Sequence, residues 1–201
     1  MIRRVGILGG TFNPIHTGHL ILAEQARSRF GLDEVLIIPS GISYFKKGMD
    51  IPDGRIRYEM CELAVQDNPY FRVSDIEIRR EGNTYTAETL KELKNEEPDT
   101  DFFFVIGADI LHEIGYWKDP EDIFKNCSLL VSVRNNESED DLKKDAQALK
   151  EKYGAEVCML HTTNIDISST MIRQLISEKK SVRYYLPEAL REYILKNKIY
   201  E

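Results

Sequence analysis

Two histidines near the start of the chain have the spacing and the neighbours of an anion-binding site. His16 and His19 are three positions apart, and a glycine pair, Gly9-Gly10, precedes them. If a helix begins near Thr17, both imidazoles lie around its first turn, where free backbone N–H groups and the helix dipole attract an anion. An imidazole N–H in that place can donate a hydrogen bond to a phosphate oxygen. The spacing therefore predicts phosphate-binding chemistry.

Other chemistries fit this segment less well. A glycine pair after a strand is most often only a turn, and a zinc site normally needs a third protein ligand, which is not found nearby. The segment has neither the Gly-Lys-Ser/Thr of a P-loop nor the Gly-x-Gly-x-x-Gly of a dinucleotide-binding turn. What favours the phosphate site is the combination of the apolar run Val5–Leu8, the glycines, Pro14 and His-x-Gly-His at a helix start.

A second candidate centre lies near the end of the chain. Three consecutive hydroxyl residues, Ser168, Ser169 and Thr170, open a predicted helix, and Arg173 follows them. Hydroxyl side chains cap helix N-termini, and capping alone would explain them. The guanidinium of Arg173 adds a fixed charge and a forked donor that suits phosphate. The pattern is therefore compatible with a second phosphate-binding element.

An alternation of strands and helices must position these two centres. It is typical of an α/β protein with a Rossmann-like, doubly wound, mainly parallel sheet and helices on both faces. At 201 residues we expect a single domain, residues 1–201. The predicted strands are residues 5–8, 34–39, 71–73, 76–78, 101–107, 127–133 and 156–160, and the predicted helices are residues 20–26, 53–66, 87–96, 110–114, 135–152, 167–176 and 188–196.

Polar residues mark several predicted helix starts. Asp53 is predicted to cap one helix, and Thr84 or Thr86 to cap the next. Asp109 follows a strongly apolar strand, where it could cap a helix, contact ribose hydroxyls or bind a metal.

Three further side chains are open to more than one interpretation. Lys46 lies in a loop after the second predicted strand, where open α/β sheets bind ligands, or it is a solvated loop charge. Arg57 lies on the helix that follows, where most arginines are surface charges. Trp117, the chain's one tryptophan, is expected in the core from the residues alone.

Composition narrows the class of protein. The chain is 42% hydrophobic and 30% charged, with a formal net charge of -7, so it has no overall basic field for nucleic acid. No apolar run reaches the roughly 18 residues of a membrane-spanning helix. The three cysteines are widely spaced and odd in number, which favours free thiols in a reducing cytoplasm.

Together the two centres resemble the paired signatures of bacterial nicotinate-nucleotide adenylyltransferases, in the nucleotidyltransferase superfamily. The signatures are Gly10–His19 and Ile167–Arg173, and the resemblance covers essentially the whole chain. Weaker matches occur in order between and after them, at Gly82–Thr86, Ile106–Asp109, Trp117, Tyr185–Pro187, Tyr193 and Tyr200.

The resemblance implies a reaction and a set of site residues. The family joins ATP to nicotinic acid mononucleotide, giving nicotinic acid adenine dinucleotide and pyrophosphate, with Mg²⁺ accompanying ATP and no protein metal ligand expected. It implies catalytic roles for His16, His19 and Arg173. It implies ATP binding by Gly9, Gly10, Thr11, Phe12, His16, Gly18, His19, Gly107, Asp109, Ile167, Ser169, Thr170 and Arg173, and mononucleotide binding by Asn13, Lys46, Thr86, Trp117 and Arg134.

One segment departs from the family pattern. The chain has Ser43-Tyr44-Phe45-Lys46 where the family usually has Pro-Pro-His-Lys, so the family's histidine contact to the mononucleotide phosphate does not transfer. Three alternatives stay open: another adenylyl- or cytidylyltransferase, a nicotinamide-preferring enzyme, or a catalytically silent nucleotide-binding regulator. Neither a nucleic-acid nor a membrane partner is expected, and a homodimer is one possible oligomeric state.

Overall fold

The computed structural model describes residues 2–41, 51–133 and 138–201. Its strands are β1 (Arg3–Gly10), β2 (Glu34–Pro39), β3 (Phe71–Val73), β4 (Thr100–Gly107), β5 (Ser128–Val133) and β6 (Val157–His161). Its helices are α1 (Thr17–Phe30), α2 (Gly54–Val65), α3 (Thr86–Glu96), α4 (Ala108–Glu113), α5 (Pro120–Asn126), α6 (Glu139–Tyr153), α7 (Ser169–Ser177) and α8 (Glu188–Lys196), with a 3₁₀ turn at Ile114–Tyr116.

The described strands form one parallel sheet of six in the order β3-β2-β1-β4-β5-β6. The chain moves from β1 outwards to β3, then returns beside β1 and continues to the opposite edge. In the register Arg3 lies opposite Thr100, and Phe103 lies opposite Ser128. This strand order is that of a doubly wound Rossmann-like sheet, so the predicted fold class is confirmed.

The chain divides into two compact units. Unit 1 comprises Met1–Leu8, Ala23–Val35 and Thr84–Asn164. Strands β4 and β5 lie at its centre, where Val105, Leu129 and Leu130 are buried. Such continuous apolar runs are what a strand covered on both faces requires.

Unit 2 comprises Gly9–Leu22, Leu36–Asn83 and Ile165–Glu201. Within it α2 packs against α8, and the Tyr193 hydroxyl donates a hydrogen bond to Glu59 over 2.6 Å. Met60 of α2 and Ile194 of α8 are fully buried.

The predicted cap is confirmed at α2 and wrong at α3, and at α4 the structure excludes capping, which was one of three roles left open for Asp109. The Asp53 carboxylate accepts a hydrogen bond from the Arg55 backbone N–H at 2.8 Å, which caps α2. By contrast α3 begins at Thr86 itself, so its cap position is Tyr85, which makes no side-chain capping bond. Similarly α4 begins at Ala108, which places Asp109 inside the first turn rather than at the cap.

The predicted strand at residues 76–78 is wrong. Strand pairing continues only as far as Ser74, whose N–H donates to the Ile37 carbonyl. The chain then turns, because the Arg79 N–H donates to the Asp75 carbonyl at 2.9 Å. Ile76 is nevertheless buried, and Ile78 packs near Gly54. The apolar residues Ile76 and Ile78 therefore alternate because both pack inwards from a turn, and not because they belong to a strand.

Candidate active site

The turn between β1 and α1 carries the first predicted centre. Phe12 has a positive φ of 47°, and its ring lies against Gly10, where an added Cβ would be 3.0 Å from the ring. A side chain at position 10 would therefore displace Phe12. The Phe12 ring also meets the ring of His19 edge-on, with 5.1 Å between the centroids. Helix α1 begins at Thr17, which is the start on which the placement of both imidazoles at its first turn depended.

The two imidazoles are stacked on each other. Their centroids are 3.7 Å apart with an interplanar angle of 24°. The His16 backbone N–H donates to Nδ1 of His19 at 3.2 Å. Because Nδ1 accepts, a neutral His19 carries its proton on Nε2, which makes Nε2 the donor available to a ligand. Gly18 permits this stack, since a Cβ there would lie 3.1 Å from Nδ1 of His16.

Burial keeps both histidines neutral. It lowers the pKa of His16 from 6.5 to about 4. Burial, together with the charge of His16, lowers the pKa of His19 from 6.5 to about 3. At neutral pH the rings therefore act as hydrogen-bond donors, and a positive charge for a phosphate has to come from another residue.

Two buried polar atoms in this turn have no hydrogen-bond partner within the part of the chain that the structure describes. They are Oδ1 of Asn13 and Nδ1 of His16, and both residues are buried. Buried polar atoms are almost always paired, so an unpaired one calls for a functional or chemical explanation. A bound polar ligand would supply the missing partners.

The structure brings the second predicted centre onto the first. Arg173 donates from one guanidinium nitrogen to the Asn13 carbonyl at 2.7 Å and from the other to the Thr170 hydroxyl at 3.3 Å. Ser169 donates to the Pro14 carbonyl at 2.8 Å. Ser168 is the cap of α7 and accepts from the Met171 N–H at 3.1 Å. All of these residues belong to unit 2.

Of the remaining predicted site residues, Gly9 lies in β1 and Thr11 in the turn after it, and both belong to unit 2. Ile167, also in unit 2, is half-buried just before α7. The others that are described lie in unit 1. Gly107 ends β4, Asp109 is exposed on α4, and Thr86 is the first residue of α3. Trp117 follows the 3₁₀ turn and is only half-buried, so its expected place in the core is wrong. Lys46, Arg134 and the segment Ser43–Lys46 lie outside the described residues.

Sequence reasoning missed one residue at this turn. Arg57 was expected on the surface, but only 5% of it is exposed. It donates to the Thr11 carbonyl at 2.9 Å and to the Pro52 carbonyl at 3.1 Å. A signal was available, since Arg57, Met60, Cys61 and Ala64 recur at helical spacing and form the buried face of α2.

Two negative findings apply to the described ranges. No three histidine, cysteine, aspartate or glutamate side chains in residues 2–41, 51–133 and 138–201 are grouped as ligands for a metal ion. Within the same ranges, no helix has both the length and the apolar character needed to cross a membrane.

Comparison with known proteins places the chain in a family. Residues 7–175 match the profile of the cytidylyltransferase-like family. A nicotinate-nucleotide adenylyltransferase of Lachnoclostridium phytofermentans is 43% identical over 99% of this chain and 100% of its own length. One from Dehalococcoides mccartyi is 40% identical over 98% of this chain and 97% of its own length.

Solved structures agree on the fold. The nicotinic acid mononucleotide adenylyltransferase of Plasmodium falciparum, complexed with NaAD, superposes with a TM-score of 0.79 at 17% identity, over 98% of this chain and 97% of that one. The fold, the joined motifs and the profile define a nucleotidyltransferase of the cytidylyltransferase-like class. Within that class, the full-length identities show that the chain belongs to the nicotinate-nucleotide adenylyltransferases.

Proposed function

We propose that the chain transfers the adenylyl group of ATP to nicotinic acid mononucleotide through the two joined motifs of unit 2. The observation that carries the proposal is the 2.7 Å hydrogen bond from Arg173 to the Asn13 carbonyl, beside the stacked His16 and His19. It supports one phosphate-binding element built from segments about 160 positions apart. Family membership supports the choice of nucleotides.

ATP is proposed to bind mainly along this element. The backbone of Gly9–Phe12, with Gly18, would allow close approach of the phosphates. At the N-terminus of α7, Ile167, Ser169 and Thr170 would supply backbone N–H donors, and the Thr170 hydroxyl would add a side-chain donor. Gly107 and Asp109 are proposed ATP-binding residues as well, with Asp109 on the substrate rather than on a metal.

In the proposed mechanism the mononucleotide phosphate attacks the α-phosphorus of ATP in line. A P–O bond to the mononucleotide oxygen forms as the bond to pyrophosphate breaks. The nucleophile is already an anion, so neither a strong general base nor a covalent intermediate is required. What the protein supplies is alignment and neutralisation of charge on the leaving group.

Each side chain has a definite task in this mechanism. His19 donates from Nε2 to the phosphate oxygens on which charge develops, and His16 orients the α-phosphate. Arg173 supplies the positive charge that the neutral imidazoles cannot. Mg²⁺ would enter with ATP as part of the substrate and would supply positive charge to its phosphates, and no side chain of this chain is assigned to hold it.

The mononucleotide is proposed to contact Asn13, Lys46, Thr86, Trp117 and Arg134. The half-buried Trp117 leaves ring surface on which the pyridine ring could stack. Two observations support a substrate contact for Asn13, since Arg173 holds its carbonyl and its Oδ1 is unpaired among the described residues. We further propose that residues 1–201 act as one nucleotidyltransferase domain. The three free thiols support a reducing, cytoplasmic setting.

The test is pyrophosphate release with ATP and Mg²⁺ and four separate acceptors. These are nicotinic acid mononucleotide, nicotinamide mononucleotide, phosphopantetheine and glycerol 3-phosphate. Turnover with the nicotinic acid form alone is expected. Equal or faster turnover with the amide would show that the Ser43–Lys46 segment has changed selectivity. ATP binding without turnover on any acceptor would instead favour a silent nucleotide-binding regulator.

A further inference from the structure

A buried arginine that belongs to neither signature motif is hydrogen-bonded to the phosphate-binding turn. Arg57 lies on α2 and is 5% exposed. Its Nε donates to the Pro52 carbonyl at 3.1 Å and one terminal nitrogen donates to the Thr11 carbonyl at 2.9 Å. Burying a guanidinium is costly unless it is hydrogen-bonded, so a buried arginine at this place calls for an explanation.

Arg57 and Arg173 hold alternate carbonyls of one short turn. Arg57 binds the carbonyl of Thr11, and Arg173 binds the carbonyl of Asn13 at 2.7 Å. Between them lies Phe12, whose positive φ of 47° is unfavourable for a residue with a side chain. Charged donors on both flanks stabilise a backbone that would otherwise relax.

The turn connects directly to the reacting groups. The Phe12 ring contacts the His19 ring edge-on at 5.1 Å, and the Asn13 side chain presents its unpaired Oδ1. A rotation at Thr11 would move Phe12, and with it the surface against which His19 rests. Fixing the Thr11 carbonyl therefore fixes groups that Arg57 does not touch.

Two carboxylates lie close enough to Arg57 to interact with its charge. Burial lowers its pKa, while the nearby Asp53 and Glu77 carboxylates act in the opposite direction. The Tyr200 phenol is close enough to interact electrostatically with both Arg57 and Arg173. An arginine stays protonated under physiological conditions, so the turn has a cation on each flank.

We propose that Arg57 is a positioning residue for adenylyl transfer, which acts by holding the Thr11–Asn13 turn in its catalytic conformation. It touches neither nucleotide in this role. The inference rests on the proposed function, because it assigns Arg57 to the geometry of that same site. A residue that only stabilised α2 would affect unfolding and leave turnover unchanged.

The test compares Arg57→Lys with Arg55→Lys. Lysine keeps the charge at position 57 but cannot donate to two carbonyls with a rigid fork. Arg55 is an exposed residue of the same helix and is the matched control. We expect kcat of Arg57→Lys to fall about tenfold or more, with a smaller change in either KM, since misplacement by about 1 Å can cost a hundredfold. Arg55→Lys should keep wild-type kinetics.

A second variant separates positioning from folding. In Arg57→Ala, guanidinium chloride at low millimolar concentration should restore part of kcat, while the same salt should not rescue His19→Ala. Both sets of rates are measured well below the Tm of each variant. Partial rescue specific to position 57 supports the proposal.

The outcomes are distinct. Wild-type kcat in a folded Arg57→Lys overturns the inference and leaves the proposed function intact. Failure of both Arg57 variants to fold assigns the residue to stability alone and also overturns it. If the wild-type protein releases no pyrophosphate with any acceptor, the proposed function is rejected and the inference falls with it.

Discussion

At the scale of single residues, the hydrogen bond into His19 determines which of its nitrogens can act. Nδ1 accepts from the His16 N–H, so Nε2 is left as the donor. We expect His19→Ala to lower kcat about a hundredfold, the usual effect of removing one transition-state donor. His19→Gln should retain more activity, because its amide nitrogen can occupy a position close to that of Nε2.

Steady-state kinetics on variants with matched circular dichroism and Tm would check this assignment. His19→Asn, whose shorter amide mimics Nδ1, is the control and should resemble alanine. Near-normal turnover in a folded His19→Ala protein would exclude the assigned role.

Single residues also differ in how far their positions could be predicted from the sequence. The helical pattern predicted only residues 20–26, and placing both imidazoles at the first turn depended on a start near Thr17. The structure meets that condition, since α1 begins at Thr17. Arg57 was predicted wrongly because side-chain type was weighed above its position on the buried face of α2. An arginine on the buried face beside Met60, Cys61 and Ala64 needs buried hydrogen-bond acceptors, and here the tertiary fold supplies the carbonyls of Thr11 and Pro52.

At the scale of elements, the start of α7 separates capping from catalysis. Ser168 accepts from the Met171 N–H, whereas Ser169 donates to the Pro14 carbonyl. We expect Ser168→Ala to lower the free energy of unfolding by about 1 kcal/mol, as loss of a cap does. Ser169→Ala should mainly lower kcat/KM for ATP. Urea denaturation and kinetics on both variants would check the division.

The matched control is Ser138→Ala, which removes the cap of α6 in unit 1, where the hydroxyl accepts from Asp141 at 3.4 Å. It should lower stability without changing kcat. Equal kinetic effects of Ser168→Ala and Ser169→Ala would show that the two hydroxyls act together.

Elements were predictable where one local signal dominates. Buried parallel strands such as β4 appear as unbroken apolar runs, and Asp53 marks the start of α2. The strand prediction for residues 76–78 is wrong because an apolar alternation cannot distinguish a strand from a turn with two packed side chains. The cap of α3 was predicted wrongly, and Asp109 does not cap α4, because a shift of one or two residues changes a cap into a first-turn residue.

At the scale of the whole molecule, the neutral histidines link stability to pH. Their folded pKa values, about 4 for His16 and about 3 for His19, lie below the unfolded value of 6.5. Between these limits the unfolded chain binds more protons, so the free energy of unfolding falls as the pH falls. Below pH 6.5 we expect the free energy of unfolding to fall by up to about 1.4 kcal/mol per pH unit for each ring.

Chemical denaturation of the wild-type protein at pH 7.5, 6.5 and 5.5 would measure this slope. A His16→Gln/His19→Gln double variant is the control and should give a flatter profile over the same range. A wild-type stability that does not change between pH 6.5 and 5.5 would contradict the buried neutral pair.

The sequence predicted the sheet class of the whole molecule, but not how the two motifs meet. Alternating strands and helices leave few topologies, which explains the correct fold class. Contacts such as Arg173 to Asn13 span 160 positions, and no local pattern encodes them. The motif resemblance indicated a common function for the two segments, whereas their hydrogen bonds became visible only in three dimensions.

That long-range bonding also has a consequence for synthesis on the ribosome. The carbonyls of Asn13 and Pro14 are made early, but their donors, Arg173 and Ser169, are translated 160 and 155 positions later. The N-terminus of a nascent chain emerges first, and synthesis proceeds at roughly 5–20 residues per second. For most of translation the two carbonyls therefore lack these donors. The chain therefore acquires its catalytic geometry only when α7 has left the exit tunnel.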